Sequence, residues 1–122
     1  REIRLHARAE LVQPKLEELA KLDDAEFREI FRGSPIKRIG RDRFVRNVLI
    51  AVGNSGDGSL VKIVEQLLED ASPLVRAMAV WALHRLAPDR ARAIASSRLA
   101  NETDEAVRAE WLTSSAPQAE AG

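Results

Sequence analysis

Apolar residues recur three and four positions apart along nearly the whole chain, and no stretch alternates with period two, so the pattern predicts helices and no sheet. Pro14 suits a first helical turn and predicts a helix from about Pro14 to Leu22. Asp23, with Glu26 three residues on, forms a capping-box pair. It opens a short helix that carries Phe27, Ile30 and Phe31 on one face and stops at Gly33. Ser34 and Pro35 begin an irregular segment ending near Gly40, after which a helix from about Asp42 to Val52 is closed by Gly53 and Asn54. The composition of Asn54 to Ser59 is that of a turn, with Ser59 as the expected N-cap of LVKIVEQLLED. Ser72 caps the next helix with Pro73 in its first position, Pro88 opens RARAIASSRLA, and Asp104 or Thr103 caps EAVRAEWLTS.

Overlaying these segments exposes a repeat. Val45-Arg46, Val75-Arg76 and Val107-Arg108 each sit one turn inside a helix, at spacings of 30 and 32 residues, with one further helix between successive copies. Units of two short antiparallel helices repeated in this way predict an all-α fold, a short α-solenoid. The pattern VRxxAxxAL is clearest in VRAMAVWAL, weaker in VRNVLIAVG and decayed in VRAEWLTSS, as befits a last repeat with one face open. Each valine is expected in the core, and each arginine is expected to bond the acidic turn before its helix, at Asp42, Asp70 or Asp104. Trp81 and Trp111 read as fillers between helices in preference to base-stacking platforms, and Phe27, Phe31 and Phe44 as anchors for the segment between them. The expected organisation is a flank of an upstream domain at 1–13, a repeat domain at 14–115 and a disordered tail at 116–122.

Charge changes this picture at one place. The 19 Lys and Arg balance the 19 Asp and Glu overall, yet Arg28 to Arg46 holds seven basic residues against two acidic ones, 7 − 2 = +5, leaving −5 for the rest. The seven are Arg28, Arg32, Lys37, Arg38, Arg41, Arg43 and Arg46. Such polarisation points to a polyanionic partner, and six arginines to one lysine favour forked recognition of phosphate over loose ion pairing. Arg46 is ambiguous, because the repeat aligns it with Arg76 and Arg108 and gives it a scaffold role as well. Asn47 beside it can hydrogen-bond a sugar or base, or cap the loop.

Candidate chemistry beyond this is thin. With no cysteine there are no disulfides, thiolate zinc sites, iron-sulfur ligands or cysteine nucleophile. His6 and His84 lie 78 residues apart with no acid at ligand spacing, and His84 reads as a half-exposed surface side chain. No nucleophile elbow, phosphate loop or dinucleotide fingerprint occurs, so no active site is expected within this chain and no catalytic or metal residue is assigned. No apolar run is long enough for a membrane span, and REIRLHARAE lacks a signal-peptide core, so a soluble cytoplasmic setting is expected. A first residue of Arg in place of Met fits a piece of a longer chain.

The segments LDDAEFREIFRGSPIKRIGRDRFVRNVLIAVGNSGD (Leu22 to Asp57) and DASPLVRAMAVWALHRL (Asp70 to Leu86) resemble the carboxy-terminal HEAT-like domain of epoxyqueuosine reductase. The core FxGSPIKRxGRxRxxRNVLIAxGN is long and specific, and the likeness runs from about residue 12 to 112. The resemblance implies a parent oxidoreductase that uses cobalamin and two [4Fe-4S] clusters, bound upstream, to complete queuosine in tRNA. This chain holds none of the family's cluster cysteines. The resemblance further implies HEAT-like helix pairs that hold the tRNA anticodon arm. It carries over Lys37, Arg38, Arg41, Arg43, Arg46 and Asn47 as a group, divided in no stated way between RNA contact and bracing of the upstream catalytic domains. A HEAT-like scaffold that binds an acidic protein surface is the alternative.

Overall fold

The computed structural model describes residues 12–114. The proposed flank, up to residue 11, and the tail at 116–122 lie outside the described residues. Among the described residues the chain forms α1 (Val12–Ala20), α2 (Asp24–Ile30), α3 (Arg41–Asn54), α4 (Val61–Leu67), α5 (Pro73–Leu86), α6 (Pro88–Asn101) and α7 (Glu105–Ser114). Two 3-10 turns, Pro35–Ile39 and Gly58–Leu60, interrupt this order, and no strand is present among these residues.

The starts of the helices follow their caps. Asp23 Oδ1 accepts from the Glu26 N–H at 2.8 Å while Glu26 Oε1 accepts from the Asp23 N–H at 3.0 Å, closing the capping box. Ser72 Oγ accepts from the Val75 N–H at 3.4 Å ahead of Pro73, and Asp104 Oδ2 accepts from the Val107 N–H at 3.1 Å. Ser59 does not cap the fourth expected helix, LVKIVEQLLED. The Asp57 carboxylate takes both its N–H and its hydroxyl, and this opens a 3-10 turn before α4. An aspartate two residues earlier is the stronger acceptor, and it wins the turn.

The helices carrying the repeated valines form a row, α3 against α5 and α5 against α7, with α4 and α6 packed on α5 from the other layer and α1 on α3. The core is the apolar stripe of each: Val45, Val48, Leu49 and Val52 from α3, Ile63, Val64 and Leu67 from α4, Val75, Ala79, Val80, Ala82 and Leu83 from α5, and Val107 and Trp111 from α7. All three repeat valines are fully buried. Helix α6 buries only Ala91 completely, so its alternating Arg and Ala residues make an outer layer.

Trp111 is buried at 2 % exposure and Trp81 half-buried, so both fill space between helices. The Trp81 ring lies against Gly53, where an added Cβ would stand 2.5 Å from Trp81 Cζ3. The Arg85 guanidinium covers that ring at 5.3 Å, and its Nε donates to the Gly53 carbonyl at 3.3 Å. Gly53→Ala is therefore expected to destabilise the chain by about 1–2 kcal/mol, since overpacking outweighs the gain in helix propensity. Denaturant titration measures this, and a variant as stable as the parent would mean that the ring yields freely.

Candidate nucleic-acid interface

Two glycines with left-handed backbone, Gly33 at φ +80° and Gly40 at φ +85°, bracket the basic segment. Between them Ser34 Oγ accepts from the Ile36 N–H at 3.2 Å, and Pro35–Ile39 winds into a 3-10 turn where an irregular loop was expected. At three residues per turn, Ile36 and Ile39 share one ridge, and Lys37 and Arg38 stand on the other two. All four side chains are exposed. Flanking the turn in sequence, Phe27, Phe31 and Phe44 form a three-ring cluster with centroids 4.9–5.3 Å apart, which ties α2 and its end to α3.

The seven cations separate into two groups. Arg28 pairs with Asp24 at 2.8 Å and Arg32 with Glu29, both on the surface of α2 and its end. Arg41 is absorbed by the fold. Its Nε donates to the Leu22 carbonyl at 2.7 Å, its Nη1 and Nη2 fork onto Asp70 at 2.9 and 2.8 Å, and its side chain is 13 % exposed. Lys37, Arg38 and Arg43 are exposed and make no ion pair or side-chain hydrogen bond among the described residues. Arg46 reaches only Asn47 Oδ1, at 3.4 Å. Of the six residues marked by the sequence, five remain outward while Arg41 joins the first repeat to the second.

Arg41 begins a ladder along one edge. Asp70 also accepts from the Ser72 N–H at 3.0 Å, and the Asp70 carbonyl accepts from Arg76 Nη1 at 2.8 Å. Arg76 in turn forks onto Glu102 at 2.9 and 3.0 Å, and the Glu102 carbonyl accepts from Arg108 Nη1 at 3.1 Å. The repeat arginines Arg76 and Arg108 thus bond the turn before their helix through its backbone carbonyls, not through the aspartates expected. Burial pushes the Asp70 carboxyl up, but the hydrogen bonds from Arg41 and Ser72 and the nearby guanidinium charges outweigh it and hold it below its ordinary value. The Arg76 hydrogen bond, stronger than the burial that opposes it, lowers Glu102. Carboxyls depressed in the folded state contribute stability above their unfolded pKa and lose it as pH falls through the folded one. The unfolding free energy is expected to hold from neutrality to about pH 5 and to drop below about pH 4. An Asp70→Asn chain should start lower and show a shallower acid limb. An acid limb identical to the parent's would remove Asp70 from this role.

His84 is half-buried, its Nδ1–H donating to the Val80 carbonyl at 3.0 Å and its ring meeting Trp111 edge-on at 5.7 Å. Iron-sulfur clusters need thiolate ligands, and this chain has no cysteine to offer. Among the described residues no three His, Asp or Glu converge on one point, so the donor set does not fit a metal group. No described helix is long and apolar enough to cross a membrane. The sequence pointed to the cations. It named Asp70 beside the repeat arginine Arg76 but missed it as the partner of Arg41, and it missed Glu102 as the partner of Arg76, for which the available signal was an Arg-to-acid spacing near one repeat length, 29 residues from Arg41 to Asp70 and 26 from Arg76 to Glu102.

Known proteins agree with this architecture. An epoxyqueuosine reductase of Alicycliphilus denitrificans is 39% identical over 63% of this chain and 24% of its own length, and that of Xanthomonas campestris is 38% identical over 63% and 22%. An uncharacterised protein of Geobacillus stearothermophilus is 29% identical over 83% of this chain and 47% of its own length. The chain spans about a quarter of the length of the reductases it matches, so in them this region is part of a larger polypeptide. No solved structure matches it. The family described as HEAT repeats matches residues 42–115, which hold the three repeat valines, the Arg76–Glu102 fork and the Arg108 bond to the Glu102 carbonyl. With its helices stacked as a two-layer solenoid, the chain belongs to the HEAT-repeat family.

Proposed function

We propose that this chain serves queuosine biosynthesis as the RNA-docking, non-catalytic solenoid of an epoxyqueuosine reductase, holding the anticodon arm of tRNA while cobalamin and [4Fe-4S] clusters work in upstream domains of the same cytoplasmic polypeptide. One observation carries it: Lys37, Arg38 and Arg43 stand exposed and unpaired, in a chain whose other basic side chains along this stretch largely find carboxylates. Backbone phosphates position an RNA without reading it, so a surface of this kind docks the arm and leaves base identity to the catalytic part. The testing experiment is titration of a fluorescent anticodon stem-loop with the chain and with a charge-reversed 3-10 turn.

A second reading draws on Ile36, Ile39 and Leu74, each about 40 % exposed, with Ile39 and Leu74 lining one shallow groove beside Arg43. Apolar side chains with a rim of mixed charge, Arg43 with Asp24 and Asp42, also fit a protein surface. Binding of the upstream domains supplied in trans, abolished by Ile39→Asp and accompanied by no RNA retention, would favour this scaffold role.

A further inference from the structure

The repeats supply an internal control for their own arginines. In the second repeat Arg76 donates to the carbonyl six residues before it and forks onto Glu102 in the next turn. In the third repeat Arg108 makes the same contact six residues back. By register, Arg46 belongs on the Gly40 carbonyl and on the Asp70 carboxylate, the counterpart of Glu102. It makes neither bond, and its Nε meets Asn47 Oδ1 alone. At the carboxylate Arg41 stands in its place, occupying both oxygens of Asp70, one of them shared with the Ser72 N–H. The first repeat is thus closed by a substitute arginine five positions early, and its own repeat arginine has no scaffold task.

We infer that Arg41 is a positioning residue that frees Arg46 from the scaffold, so that Arg43, Arg46 and Asn47 carry the phosphate-binding surface from the 3-10 turn onto helix α3. The inference rests on the docking reading above. Residues three and four apart share a helix face, which places these three side chains together. Arg43 and Asn47 are exposed and Arg46 partly so. Because Asn47 Oδ1 already accepts from Arg46, its amide group is left with N–H donors to present, matching the acceptor-only oxygens of a phosphate or the carbonyl edge of a base. The surface then has two arms, Lys37 and Arg38 on the turn and the α3 trio beyond Gly40.

The test uses the whole chain, an anticodon stem-loop RNA, and melting temperature measured in parallel. Arg46→Gln is expected to weaken RNA binding about fivefold and to lower the salt slope by about 1, with melting unchanged. Arg76→Gln is expected to lower melting and leave binding at 25 °C intact. Arg41→Gln should weaken binding although Arg41 touches no RNA, because Asp70 recaptures Arg46. Adding Asp70→Asn should restore binding without restoring stability, a rescue that a merely structural Arg41 would not show. RNA binding indifferent to Arg46→Gln, or an Arg41→Gln loss that Asp70→Asn fails to rescue, overturns this inference alone. Absence of binding by the unsubstituted chain overturns the docking reading beneath it too.

Discussion

An Asp70→Ala chain is expected to lose about 3 kcal/mol of stability, which in a domain of this size lowers the melting temperature by roughly 10–20 °C. The carboxylate accepts two hydrogen bonds from Arg41 and one from the Ser72 N–H, and both members of the pair are nearly withdrawn from water, at 13 % and 12 % exposure. Truncation leaves a largely desolvated guanidinium with only the exposed Asp42 carboxylate, at 3.1 Å, as counter-charge, removes the brace of the turn before α5, and cuts the link between the first and second repeats. The penalty for an unpaired buried charge exceeds what the pair itself contributes, so Arg41→Ala together with Asp70→Ala should cost less than the sum of the two changes made singly. Arg90 and Glu65 provide the contrast. Their fork is of similar length, 2.8 and 3.1 Å, but Arg90 is 54 % exposed and its charge is screened by water, so Glu65→Ala should change stability far less. Equilibrium denaturation of the four chains decides it, and an Asp70→Ala effect no larger than that of Glu65→Ala would refute the clamp.

Lys37→Glu with Arg38→Glu is expected to weaken binding of an anticodon stem-loop at least about 100-fold at low salt, because each reversal removes a phosphate contact and adds a repulsion in its place. Neither side chain bonds to anything else in the described fold, so stability should remain within about 0.5 kcal/mol of the parent. Arg90→Glu with Arg92→Glu on α6 makes the same change in net charge on another helix, and its effect on binding should stay below about threefold. Equal losses from the two double variants would reduce the interaction to bulk charge, and no loss from the first would take the 3-10 turn out of the interface.

How far the sequence itself reveals this structure depends on the range of the interaction concerned. Local signals are legible: the capping box at Asp23 and Glu26, the Ser72-Pro73 start of α5, and the buried valines at 45, 75 and 107 follow from spacing and backbone chemistry. The cap at Asp57 was hidden because two good capping residues stand two positions apart, and composition does not rank them. The 3-10 winding of Pro35–Ile39 was hidden because Ser-Pro marks a break in the preceding helix without setting the winding of the residues after it. Arg41 is the instructive case. In sequence it is one of seven cations, and only the fold brings Asp70, 29 residues away, into reach of its guanidinium. Pairing over one repeat length leaves no mark in local charge counts, so the cationic surface is legible as a region but not as a set of residues.

The most direct measurement is the affinity of the unsubstituted chain for an anticodon stem-loop across a series of salt concentrations. Four outward cations, Lys37, Arg38, Arg43 and Arg46, meeting phosphates predict that the logarithm of the association constant falls against the logarithm of salt with a slope of about −3. Binding with a slope near zero, or no binding even at low salt, would contradict the account.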